Sequence, residues 1–169
     1  SPEDTLFSLA LHQRRFGKVF CLKYVLDTAL IMQKYKDTFD WCYVGKACEK
    51  YRLSSCLYFL LLQVKIFLGE DFSGESEKLS VAGIKKTMMR KFISRYIFSF
   101  SLGQKVRNNY LKSHFLLYDS FIEPVRYIMD IPLEQFAKYY GLKTYDKNTE
   151  RLYRFRFLYF IFSFLKIKR

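Results

Sequence analysis

Glycine and proline are scarce, at 7 and 3 in 169 residues. All-β sandwiches and barrels consume both in their many turns, so this scarcity argues against them. Histidine is scarcer still: only His12 and His114 are present, and a metal cage built on two such distant imidazoles needs carboxylate help. No Gly-rich phosphate loop, G-x-S-x-G elbow or H-E-x-x-H helix occurs. No residue set therefore reads as catalytic, and none as a metal site. Cys21, Cys42, Cys48 and Cys56 form no C-x-x-C pair. They read as small buried hydrophobes in a reducing cytosol, the other reading being a zinc site or disulfide scaffold.

Long apolar runs are missing too. Cys56–Leu62 and Phe155–Leu165 are the greasiest stretches, and both fall short of the roughly 20 residues of a membrane span. No signal peptide is legible, so a cytoplasmic location is expected. The opening Ser1-Pro2-Glu3-Asp4 has no initiator Met, as expected of a piece of a longer chain. What the chain does have is aromatic and basic character. Half of it is apolar and 20% aromatic, which excludes general disorder. Its formal charge of +13 attracts phosphate, acidic lipid headgroups or an acidic neighbouring domain. The length suits one domain, residues 1–169.

Helical periodicity dominates. Ser1, Pro2 and Glu3 make a helix start, followed by Leu6, Leu9 and Ala10 at helical spacing, with Gly17 as the stop. A second helix is predicted from about Val19 to Tyr35, with Leu22, Val25, Leu26, Ala29, Leu30 and Met32 as its apolar stripe. Asp37 or Thr38 is expected to cap a third, from Phe39 to about Tyr51. Ser54 or Ser55 should cap a fourth, which is apolar nearly all round, central, and ended by Gly69. Short connections between them predict an all-α antiparallel helical bundle of about four core helices, residues 1–69. The polar, acidic segment EDFSGESEKLS, residues 70–80, reads as a loop. Further helices follow: a basic one from about Val81 to Phe98, one from about Lys105 to Asp119, and a short one from Leu133 to Tyr140. Arg151 to Arg169 alternates basic and aromatic residues, as a helix or a strand; it suits either a membrane surface or a neighbouring domain.

Two polar constellations stand out. His12, Arg15, Lys23 and Asp27 lie on the first two helices, and Asp27 sits amid apolar neighbours where an unpaired carboxylate is costly. These residues read either as a buried clamp between the helices or as a polar wall facing a ligand. Lys85, Lys86, Arg90, Lys91 and Arg95 cluster on the basic helix near Phe92 and Tyr96, the mixture that phosphate contact and base stacking require. A solvated cationic face is the plainer reading. Asp37 and Asp40 are explained by capping, and Trp41 as a core anchor.

Taken in order, these residues carry a resemblance. LFSLALHQRRFGKVFCLKYVLD, followed by FDWCYVGKACEKYRLSSCLYFLLLQVKIFLG, resembles the helical C-terminal part of the uncharacterised nucleotidyltransferase family, within the DNA polymerase β-like superfamily. The matching features are the helix bearing His12, the L-K-x-x-x-D of Leu22, Lys23 and Asp27, the Asp40-Trp41 helix start, and the hydrophobic helix ending at Leu68-Gly69. The later LEQFAKYYGL and the aromatic-basic ending are similar to that family's distal tail. The resemblance implies a preceding αβ catalytic domain as partner, with a Gly-Ser turn and paired strand aspartates that bind Mg and NTP. No part of this sequence matches that domain. By itself the chain is therefore expected to hold no cofactor and transfer no nucleotide. His12, Arg15, Lys23 and Asp27 would line the nucleotide or acceptor cleft from the helical side. The alternative is a non-catalytic basic module that binds nucleic acid or an acidic protein. Abundant Lys, Phe, Tyr and Ile with little Ala points to an AT-rich bacterial source.

Overall fold

The computed structural model describes residues 1–15, 21–96, 115–144, 146–156 and 158. The chain is all-α: its elements are helices, and no strand occurs among the described residues. They are α1 (Pro2–Arg15), α2 (Leu22–Tyr35), α3 (Trp41–Tyr51), α4 (Ser54–Leu68), α5 (Ser73–Glu77), α6 (Gly83–Tyr96), α7 (Ile122–Asp130), α8 (Leu133–Tyr140) and α9 (Lys147–Arg154).

α1 starts as its first four residues dictate. The Asp4 N–H donates to the Ser1 hydroxyl at 3.2 Å, and that hydroxyl donates back to the Asp4 carboxylate at 3.1 Å. Pro2 opens the helix where no N–H is needed. Gly17 lies outside the described residues. In α2, Val25, Thr28, Ala29 and Met32 are buried, but Leu22, Leu26 and Leu30 are exposed. The apolar stripe is thus wider than the core it faces: 22, 26 and 30 climb a flank of the helix beside the buried face in steps of four. Asp40, rather than Asp37 or Thr38, caps α3 by accepting the Tyr43 N–H at 2.9 Å. Its own N–H donates to the buried Glu3 carboxylate at 3.1 Å, which ties α3 to α1. Phe39 is buried and packs at 5.2 Å on the half-buried Trp41 ring.

α4 is the axis of the molecule. Every residue from Ser54 to Val64 is buried, and α1, α2, α3 and α6 all pack on it. Gly69 ends it at φ 74°, a left-handed turn that glycine adopts without a Cβ clash. The acidic segment after it is not wholly loop. α5 lies within it, and Phe72 and Leu79 are buried on either side. α6 buries Met89, Phe92 and Ile93, whereas Ile84 and Met88 face outward.

The helix expected from Lys105 to Asp119 falls mostly outside the described residues; 115–117 are helical, and Leu116 and Leu117 join the core. α7 contains Pro124 in its first turn, where no backbone donor is lost. α8 has the predicted bounds and ends at Gly141 with φ 65°. It packs on α9, with Phe136 edge-on to Tyr153 at 5.6 Å. The Tyr153 hydroxyl donates to the Ile131 carbonyl at 2.8 Å. α9 begins at Lys147, before Arg151, because Asp146 caps it through the Asn148 N–H at 3.1 Å. The aromatic-basic ending beyond Leu158 lies outside the described residues.

Candidate functional site

α1 and α2 pack together and carry the first constellation. His12 is exposed and stacks on Tyr24, with ring centroids 6.3 Å apart and planes 26° off parallel. At the other end of the pair, Ser1 and the α1 residues Pro2 and Thr5 share an open groove with Leu30, Ile31, Lys34 and Tyr35 of α2. Lys23 and Asp27 lie on α2 itself, one turn apart, with Nζ 2.8 Å from the carboxylate. Lys23 is 76% exposed and Asp27 34%. The hydrogen bond to Asp27, and then its charge, raise the Lys23 ammonium above its ordinary pKa.

This corrects the buried-clamp reading. The pair closes within one helix and lies at the surface, since four residues of helix bring the ammonium and carboxylate together without a second element. Arg15 closes α1, and its side chain is outside the described residues. His12, Lys23 and Asp27 therefore sit on neighbouring helices.

The second constellation divides. Lys85 is only 2% exposed. Its ammonium donates to the carbonyls of Tyr118 and Asp119 and lies 4.8 Å from the Phe121 ring. Burial lowers its pKa, while the charges of Asp119 and Glu123 work in the opposite direction. Lys85 is thus a structural cation rather than a surface phosphate contact, because a segment 33 residues downstream folds over it. Lys86 is half-buried, its ammonium 5.2 Å from the centre of the Tyr58 ring. Arg90 is exposed beside a small cleft shared with Tyr58, Lys65 and Ser76. Lys91 is exposed, and the Arg95 side chain lies outside the described residues.

Sequence reasoning missed a carboxylate that ties the downstream segment to the central helix. The Asp119 carboxylate accepts the N–H groups of Ser54 and Ser55 at 3.0 and 2.5 Å. It supplies the cap of α4 that neither serine provides, where a negative charge also meets the positive end of the helix. Arg52 donates to Glu123 at 2.7 Å, and Arg14 donates to the Arg52 carbonyl at 3.0 Å while its guanidinium covers Tyr118 at 5.0 Å. The only signal in the sequence was indirect: two serines begin an apolar helix with no acid in its first turn.

All four cysteines are free. Burial pushes the Cys48 and Cys56 thiols up to about 12, so neither is a nucleophile at neutral pH. Among the described residues, no three His, Cys, Asp or Glu side chains are placed to hold a metal ion. None of the described helices is long and apolar enough to cross a membrane. No protein family, curated protein or solved structure matches the chain.

Proposed function

We propose that this chain is the helical portion of a nucleotidyltransferase-like protein, its first four helices forming the antiparallel bundle that shapes one wall of the nucleotide or acceptor cleft. The reaction is transfer of a nucleoside monophosphate from a triphosphate to an acceptor. The observation that carries this reading is the order of His12, the Lys23-to-Asp27 turn, Asp40-Trp41 and Leu68-Gly69 along one chain. The neighbouring placement of His12 and the Lys23–Asp27 pair on α1 and α2 supports it. Phosphoryl chemistry of this kind depends on positioning and charge neutralisation. Lys23, mostly exposed, would supply a cation to the polyphosphate, His12 a hydrogen-bonding ring, and Asp27 the contact that orients Lys23.

Magnesium and the triphosphate would be held by a companion αβ domain. In this reading the chain does not transfer nucleotides without that companion domain. Sequencing the coding region upstream tests the reading. A Gly-Ser turn followed by a strand with two aspartates is the expected result; an upstream region without them contradicts it.

A second reading, a basic module for nucleic acid or an acidic protein, rests on the exposed Arg90 and Lys91 of α6. It predicts retention on RNA or DNA that falls steeply with salt.

A further inference from the structure

We propose that the end of the molecule where α6 and α7 begin is a contact for an anionic lipid surface, made by projecting aliphatic side chains set among cations. Ile122 and Ile84 are the two most exposed large hydrophobics among the described residues, at 76% and 69%. Thirty-eight positions separate them in sequence, yet the fold joins their neighbourhoods. Lys85, next to Ile84, bonds the carbonyls of Tyr118 and Asp119 and reaches the ring of Phe121, next to Ile122. Phe121 is itself exposed, as is Met88 one turn along α6 from Ile84.

Exposed cations accompany this apolar tip. Lys91 is exposed two turns along α6 on the face of Ile84, and Arg126 is exposed one turn along α7 from Ile122. Of the nearby acids, Asp119 caps α4 and Glu123 pairs with Arg52, while Glu49 is exposed in the groove it shares with Asp119 and Ser120. The whole chain adds a formal +13. Such a surface is drawn to anionic headgroups, each Lys or Arg near the interface strengthening the attraction several-fold, and its aliphatic side chains gain by leaving water for the acyl boundary.

The chemistry of the tip selects among occupants. Ile84, Met88 and Ile122 have no ring on which a base can stack, and the Lys85 ammonium already covers one face of the Phe121 ring, which disfavours a nucleic acid. Side chains that stand this far out of their surroundings fit a deformable lipid interface, whereas a folded protein partner would need a socket for each.

The test is co-sedimentation of the 169-residue chain with vesicles of phosphatidylcholine alone and of phosphatidylcholine with phosphatidylserine. The chain is expected to bind the mixed vesicles and to remain in solution with phosphatidylcholine alone. Ile84→Ser combined with Ile122→Ser should lower partitioning into mixed vesicles at least about tenfold. Circular dichroism and thermal midpoint should stay those of the parent, because both side chains are outside the core. No binding to mixed vesicles, equal binding to both compositions, or full binding by the double variant would each overturn the proposal. Retention of the double variant on RNA at the parent's level, with no vesicle binding by either, would assign the basic surface to nucleic acid instead.

Discussion

Asp27 stands beside Leu26 and one turn from Leu30, a setting that on sequence alone demands a buried partner. The structure solves the problem by keeping the carboxylate at the surface, one turn from Lys23. Exposed pairs of this spacing contribute little, because solvent screens them and two side chains lose freedom. Asp27→Asn is therefore expected to leave the thermal midpoint of this chain unchanged, as read by circular dichroism; a large drop would restore the buried clamp. The cysteines divide by burial in the same way. Cys42 is exposed, whereas Cys48 and Cys56 are fully covered with thiols pushed up to about 12. In the native protein at neutral pH a thiol reagent should modify Cys42 readily and leave Cys48 and Cys56 intact until denaturant is added. Rapid modification of all four without denaturant would mean that α4 is not the buried axis. Ser1 was legible at this scale because its partner Asp4 lies three residues away; the cap of α3 was not, since Asp37, Thr38 and Asp40 are all capping types and the backbone selects Asp40. Lys85 was not legible, since the carbonyls that bury it belong to Tyr118 and Asp119.

Among the elements, α4 shows the same division. Its apolar run and the glycine after it identify a central helix from sequence alone. Its start is another matter, because Leu53 offers no side-chain cap and Asp119 arrives from 64 residues away. Asp119→Ala is expected to cost about 1–2 kcal/mol in urea unfolding, the loss of a helix cap. Asp119→Asn should cost less, since an amide oxygen still accepts one N–H. Equal stability of the parent and Asp119→Ala would show that the downstream segment is not docked on α4. α2 was legible as a helix but not in its buried face. Its leucines at 22, 26 and 30 fit an amphipathic stripe as well as Val25, Ala29 and Met32 do, and only packing on α1 and α4 decides between them.

At the level of the whole molecule, the main core gathers on α4, while Ile131, Phe136 and Ala137 are buried apart from it beside α9. Phe59, fully buried in α4 and 6.2 Å from the Phe92 ring, is where truncation should be felt most. Phe59→Ala is expected to cost about 3–5 kcal/mol, measured by denaturant unfolding; a cost near zero would contradict the assignment of α4. Acid should loosen the molecule at the join of α1 and α3. Hydrogen bonds from Ser1 foremost, and for Glu3 also from the Asp40 N–H, hold the carboxyls of Glu3 and Asp4 below their ordinary values of 4.5 and 3.8. Depressed carboxylates stabilise the fold above those values, and the contribution disappears as pH falls through the lower folded-state values. The thermal midpoint should accordingly drop as pH is lowered past 4, and Glu3→Gln should flatten that part of the profile. An unchanged slope in that variant would remove Glu3 from the account.

The central claim is that α1 and α2 form one wall of a nucleotide-transferring cleft. It is tested most directly by incubating the full-length product of the same gene with magnesium and α-labelled nucleoside triphosphates, and counting label transferred to protein or added acceptor. The account predicts magnesium-dependent transfer, weakened in His12→Ala and Lys23→Ala while their thermal midpoints match the parent. Absence of transfer with any of the four triphosphates, or full activity in both variants, would contradict it.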